Sequence, residues 1–239
     1  MHPKFPGFPA AGIELLKGLQ ANNNREWFQP RKEIFDREVK APMVQLIDAF
    51  NSHIAPEYVT LPAKAIYRIY RDTRFSKDKT PYKDHIAAIF PRQGMGKNTS
   101  AGFFFSISAV SIEFAAGLYA PEPDQILTVR NYIADNHKEF RKIVSNPSVH
   151  SLMGQLKGDQ LTRPPKGFSV DHPALDLLRF KQWIFYTSDL IDLNLATSPG
   201  VLSEFVTRYK ALLPFVDFLN RPLVPLFKKK ESIRKMLEQ

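Results

Sequence analysis

The apolar residues after Pro9 fall at Ile13, Leu15, Leu16 and Leu19, a spacing that predicts a short helix. The polar run Asn22-Asn23-Asn24 ends it and can cap a second helix. From Arg25 onward Trp27, Phe28, Ile34, Phe35, Val39, Met43, Leu46, Ile47 and Phe50 recur at mostly helical spacing. They predict a core-facing helix, or two in series, with Pro30 near the first turn and a break or kink at Pro42. Then the period changes. Residues 65–71, 85–91, 102–109 and 111–118 are rich in Ile, Phe and Tyr and short enough to be strands. They lie too close together for helical crossovers, so antiparallel neighbours joined by hairpins are expected. The turn near Ala109-Val110-Ser111 lacks the Gly or Asn that usually marks one.

Helical spacing returns after Pro121 and Pro123, with Asp124 as the expected N-cap and Ile126, Val129, Ile133, Phe140 and Val144 along one stripe. Asn146-Pro147 ends that element, and residues 162–167 read as a loop. Asp171-His172-Pro173 reads as the capped start of a helix over 174–180, and 182–188 as a further strand. From Leu202 to the end the pattern is helical, with interruptions expected at Pro214 and around Pro222 and Pro225. No repeat or low-complexity linker divides the chain. The expected architecture is α+β: an antiparallel β-sheet packed with helices from the N-terminal, middle and C-terminal segments. It would form one domain over 5–220, followed by a basic helical tail over 221–239.

Composition narrows the function more by exclusion than by assignment. With 239 residues, 44% hydrophobic and 24% charged, the chain can bury a real core, which excludes disorder. Having no cysteine, it can form no disulfide, thiolate nucleophile, Cys-ligated zinc site or iron–sulfur cluster. A reducing compartment fits, and the proline-rich start lacks the apolar run of a signal peptide. No stretch approaches the roughly 18 to 20 apolar residues of a membrane span. A cytoplasmic location is the expectation.

The net charge of +9 favours anionic partners, and it is focused. Residues 64–83 hold seven basic and two acidic side chains, and residues 221–239 hold six and two, so the remainder of the chain is neutral. The stretch from Lys228 to Gln239 could lie as a basic helix on nucleic acid or an anionic membrane, but its one short apolar edge is too little for stable membrane attachment, and a solvated terminal helix is the plainer reading.

The first basic segment, Arg68-Ile69-Tyr70-Arg71-Asp72-Thr73-Arg74-Phe75-Ser76-Lys77-Asp78-Lys79-Thr80-Pro81-Tyr82-Lys83, also resembles the signature of a conserved hypothetical family, domain of unknown function 2461. The resemblance extends to Phe5-Pro6-Gly7-Phe8, to Asn22 through Phe28, to Gly117-Leu118-Tyr119-Ala120-Pro121 and to Arg163-Pro164-Pro165-Lys166-Gly167-Phe168. It covers roughly residues 5 to 220 and implies a compact α+β protein. It brings no established activity and no catalytic residues. Ala115-Ala116-Gly117 is less glycine-rich than that family's pattern, and the tail after Pro225 lies beyond its common region.

Strand parity gives the basic segment a physical reading. If it stays extended, Arg68, Tyr70, Asp72 and Arg74 share one face and Tyr67, Ile69 and Arg71 the other. Arg68 and Arg74 would then stand about 20 Å apart, a spacing that suits a polyanion. A bend at Asp72 or Thr73 would instead gather guanidinium groups around one small anion. The plainer alternative is a structural ion-pair network with solvated lysines.

Familiar catalytic motifs are missing. Gly94-Met95-Gly96-Lys97-Asn98 fails the phosphate-loop pattern, because Pro91 and Asn98 stand at required Gly and Ser/Thr positions. The six histidines, His2, His53, His85, His137, His150 and His172, show no metal-site spacing, and no metal or cofactor is expected. Asp72, His85 and Glu113 remain as candidate proton-handling residues, Glu113 because of its apolar neighbours Ile112 and Phe114. Lys181 could join an anion site or cover apolar surface.

The reading that results is a protein binding a phosphate-bearing ligand, nucleotide or nucleic acid, through Arg68, Arg71, Arg74, Lys77, Lys79, Tyr82 and Lys83. Asp72 would orient an arginine. The alternatives are an enzyme acting on a phosphorylated substrate and a structural or interaction protein without a ligand. Nothing in the pattern specifies an oligomeric state.

Overall fold

Asparagines set the first two helix boundaries, as their short side chains allow. α1 (Ala10–Ala21) ends where the Asn22 backbone and side chain both donate to the Gly18 carbonyl at 3.0 Å. The Asn24 side chain then accepts from the Trp27 amide at 2.9 Å and opens α2 (Arg25–Phe28). These features come from a computed structural model that describes residues 3–187 and 191–237. His2, Ser188 and the last two tail residues, Glu238 and Gln239, lie outside the described residues.

The chain divides into two compact units, the first comprising Met1–Phe90, Phe104–Phe114 and Thr187–Thr207. Its helical run continues from α2 through a 3₁₀ turn at Gln29–Arg31, α3 (Lys32–Phe35), a π-helical turn at Asp36–Lys40 and α4 (Ala41–Asn51). Proline accounts for the irregularities. Pro30 sits in the 3₁₀ turn, and Pro42, without an N–H, cannot bond the Glu38 carbonyl that an α-helix would give it. Glu38 O instead faces α1, where a Cβ on Gly12 would stand 2.2 Å from it. The core of this unit holds Phe50 edge-on to Phe90 at 4.9 Å and to Phe105 at 5.4 Å, with Phe105 stacked on Phe205 at 4.5 Å.

The segment expected as a strand over 65–71 is different. α5 (Pro62–Ala65) occupies its start, and the following arm pairs only through isolated bridges, Ile66 with Ala88 and Tyr70 with Tyr82. The bridges lie four positions apart on one side and six on the other, so two extra residues bulge out and no continuous ladder forms. The true sheet is four-stranded and antiparallel, in the order β1 (His85–Pro91), β2 (Gly102–Ser108), β3 (Ile112–Leu118), β4 (Trp183–Tyr186). In the β2–β3 turn the Ser108 hydroxyl accepts from the amides of Val110 and Ser111, at 3.1 and 2.9 Å. That local cap does the work expected of Gly or Asn, with no positive φ among the non-glycine residues described.

The second unit comprises Pro91–Phe103, Ala115–Tyr186 and Arg208–Gln239. Here β3 meets β4 with Ala115 opposite Tyr186 and Leu118 opposite Trp183. α6 (Pro123–Asp135) is capped by Glu122 and Gln125 acting reciprocally, so Asp124 is a first-turn residue and not the cap; it pairs with Lys230 at 2.5 Å. α7 (His137–Val144) buries Phe140 and Val144. Asn146-Pro147 both ends that stripe and starts α8 (Pro147–Met153), because proline at N1 lacks only a donor the helix would not use. α9 (Leu175–Leu178) is shorter than the span expected, and His172 Nδ1 accepts from the Ala174 amide at 3.1 Å ahead of it.

The last element corrects the expectation of interruption. α10 (Gly200–Leu237) runs unbroken through Pro214, Pro222 and Pro225. An interior proline costs about 3 kcal/mol, but burying a Phe or Leu side chain returns about 1.5–3 kcal/mol. Phe215, Phe218, Leu219 and Leu223 are all fully buried. Phe140 stacks on Phe218 at 4.8 Å, and the Asn220 amide bonds both the amide and the carbonyl of Ala101. No described helix is long and apolar enough to cross a membrane.

The Gly12 contact makes a direct prediction. Gly12→Ala should lower unfolding free energy by about 1–3 kcal/mol, because the new methyl meets backbone and not a yielding side chain. Gly96→Ala, whose Cβ would find only Thr99 Oγ1 at 3.5 Å, should change stability by less than about 0.5 kcal/mol. Urea denaturation of the two variants measures the difference, and equal midpoints would refute the account.

Candidate functional site

The basic segment folds back on itself within the first unit. Its two arms are joined by Arg71 N–H to Pro81 O at 2.9 Å, Lys83 N–H to Ile69 O at 2.8 Å and Tyr67 N–H to Ala87 O at 2.9 Å. Between them residues 72–80 form an exposed loop, bent where the Ser76 amide reaches Thr73 O at 3.4 Å. The side of the second arm is fixed by Asn23. Its side chain donates to Tyr82 O and accepts from Tyr82 N–H, both at 3.0 Å. Tyr82 is 1% exposed and its ring lies 4.3 Å from that of Phe28.

Charges on the loop find partners on the loop. Arg74 clasps Asp72 through Nε at 3.0 Å and Nη2 at 2.8 Å. Arg71 donates to both Asp78 and Thr80 Oγ1, while the Thr80 amide donates to Asp78 at 2.9 Å. Lys79 Nζ donates to the Thr73 carbonyl at 2.9 Å. The Arg74 side-chain bond holds the Asp72 carboxyl down to about 2, and the Thr80 amide, followed by Arg71, does the same for Asp78. Phe75, 94% exposed, stands at the loop tip.

Two clefts flank this segment. One, of about 540 Å³, is polar and lined by Arg71, Lys83 and His85 together with Asp72, Asp78 and Asp84. Gln20, Asn23 and Thr80 add amide and hydroxyl groups to it, and Tyr82 completes its wall. His85 Nδ1 lies 3.0 Å from Asp84 Oδ1. The other cleft, of about 760 Å³, is mainly apolar and is where Arg68 lies.

The residues singled out from the sequence are therefore distributed. Arg71, Tyr82, Lys83, Asp72 and His85 share the polar cleft; Arg68 borders the apolar one; Arg74, Lys77 and Lys79 line neither. Asp72 does orient an arginine, and that arginine is Arg74. Lys83 Nζ lies over the Tyr67 ring at 4.7 Å. Glu113 accepts from Ser106 Oγ at 2.8 Å across the β2–β3 hairpin, and neither cleft includes it. Lys181 is exposed, in the second unit, with its amide on Asp159 O. Sequence reasoning missed Asn23, Gln20, Thr80 and Asp84. Asn23 was open to discovery, because two of the three asparagines suffice to end one helix and start the next, leaving the middle one unaccounted for. Among the described residues no three His, Asp or Glu side chains gather closely enough to hold a metal.

A model of the DUF2461 conserved hypothetical protein family matches residues 11–218. The chain belongs to that family. The DUF2461 match includes every residue lining the two clefts and stops within α10. No curated protein and no solved structure matches the chain.

The loop's carboxylates predict its acid response. Both are depressed from 3.8 in the folded state, so their contribution to loop order is complete above pH 3.8 and is lost as pH falls towards about 2. Carboxyl-carbon NMR should show Asp72 and Asp78 titrating near 2, and Thr80 amide protection should decline over the same interval. Midpoints near 3.8 would show that the clasps do not form in solution.

Proposed function

We propose that this DUF2461 protein binds a small phosphate-bearing polar molecule, of the sugar-phosphate or nucleotide class, in the 540 Å³ polar cleft. The observation that carries the reading is the joint presence of Arg71, Lys83 and His85 beside carboxylates and amides in one cleft of small-molecule size. A phosphate would face the cations, with Arg71 already oriented by Asp78 and Thr80. Hydroxyl groups of the ligand would face Asn23, Gln20 and Asp84. A polyanion is the poorer fit, since Arg68 and Arg71 border different clefts and Arg74, Lys77 and Lys79 line neither, so these cations do not follow one track.

Titration calorimetry with ribose 5-phosphate tests this. Arg71→Ala and Lys83→Ala should each weaken binding at least about tenfold, while Arg74→Ala leaves it unchanged. The slope of log affinity against log salt should be about −1 to −2, against a much steeper one for a DNA track. Tight, steeply salt-dependent binding of a duplex oligonucleotide with no sugar-phosphate binding would overturn the reading.

One observation favours an enzymatic second reading. Asp84 holds His85 through Nδ1, which orients the other ring nitrogen as a proton carrier for phosphate-ester hydrolysis in the same cleft. On that reading p-nitrophenyl phosphate is hydrolysed, and His85→Asn abolishes turnover while ribose 5-phosphate still binds. Turnover unchanged by His85→Asn removes it.

A further inference from the structure

The 760 Å³ cleft on the first unit is independent of the polar one and of the function proposed for it. One wall is the helical run, through Phe28, Phe35 and Val44; the other is the stretch from Leu61 to Tyr70, with Ile86 between them. Leu61 is 64% exposed and Tyr70 44% exposed, so this part of the apolar lining is open to water, while Phe28, Phe35 and Ile86 are buried beneath it. Ligand pockets are typically concave and lined mainly by apolar side chains with a few polar groups at fixed positions, as this cleft is.

The rim has a definite charge. Lys32, Lys40 and Arg68 border the cleft against a single carboxylate, Asp36. Asp36 is occupied by Lys32 at 2.8 Å, one turn away. Among the described residues, neither Lys40 nor Arg68 makes an ion pair or a side-chain hydrogen bond, and the carboxylate that Arg68 acts on through space, Asp72, is clasped by Arg74. Two cations are thus left beside an apolar hollow, one of them on the π-helical turn Asp36–Lys40, a local irregularity often found at ligand sites.

We propose that this cleft is a second ligand site, which takes a single-chain amphiphile with its anionic head against Arg68 and Lys40 and its hydrocarbon chain along Val44, Leu61 and Ile69. Charge complementarity selects the anionic head. The volume lies within the range of small-molecule pockets, and the apolar walls supply most of the favourable free energy. Burying the exposed Leu61 and Tyr70 surface under a chain removes apolar area from water without any change of fold.

The test uses the full chain and 11-(dansylamino)undecanoate, a fluorescent fatty carboxylate, kept below its micellar range. The dye should bind saturably at one site per chain, with a rise in emission. Palmitate and hexadecyl phosphate should both displace it, the more effective of the two naming the preferred head, while uncharged hexadecanol competes at least about tenfold less well. Arg68→Ala should weaken dye binding about tenfold, and Leu61→Asp should abolish it. Both positions are exposed, so an unchanged melting temperature confirms that these variants fold. Arg71→Ala should leave dye binding intact, which separates this site from the sugar-phosphate site. Non-saturable binding, equal competition by hexadecanol, or binding indifferent to both Arg68→Ala and Leu61→Asp would overturn the proposal.

Discussion

Both clefts depend on the way Asn23 grips Tyr82. A backbone amide and carbonyl in a part-buried position need partners, and the continuous strand that would normally supply them is missing beside Tyr82. The Asn23 side chain, one donor and one acceptor in a plane, takes the place of that strand. It ties the α1–α2 turn to a residue 59 positions away and presses the Tyr82 ring onto Phe28. With Tyr82 fixed, Lys83, Asp84 and His85 follow at set positions along the polar cleft. Tyr70, bridged to Tyr82, is fixed along the apolar one.

The basic residues of this stretch are divided between two clefts and the loop, and the reasons are geometric. Arg68 and Arg71 are three residues apart on an extended arm, so alternation sends them to opposite sides, and the clefts divide them in that way. Beyond Asp72 the chain bends, and each of the loop's carboxylates captures the arginine closest to it in the folded loop. What remains is a cleft of mixed charge, in which Arg71, Lys83 and His85 stand among Asp72, Asp78 and Asp84.

Regular elements were legible where local pattern and tertiary demand agree. β1 occupies the residues its composition and length predict, β2 and β3 lie within one residue of theirs, and the outer asparagines of the 22–24 run cap as expected. Departures arise where a distant partner overrules local preference. The 66–71 arm loses its ladder to a two-residue slip against β1, and α10 survives three prolines because of the aromatic and aliphatic side chains it buries. The candidate site was legible in the same partial way. Arg71, Lys83, Asp72, Tyr82 and His85 were identified by composition and proximity in sequence. His85 takes its neighbour Asp84 as partner, because adjacent side chains in a bulged arm need not point apart.

Pro42 connects this irregularity to the apolar cleft. Lacking an N–H, it releases the Glu38 carbonyl and removes one rung of the helical ladder, and the preceding turn widens to the π spacing over Asp36–Lys40. The released carbonyl must still avoid a steric clash with α1, which Gly12 permits by having no side chain where a Cβ would stand 2.2 Å away. The widened turn carries Asp36 and Lys40, two of the four charged residues on the apolar cleft. A proline and a glycine thirty positions apart in sequence thus shape the charged rim together. The cleft's character follows from backbone chemistry as much as from the side chains that line it.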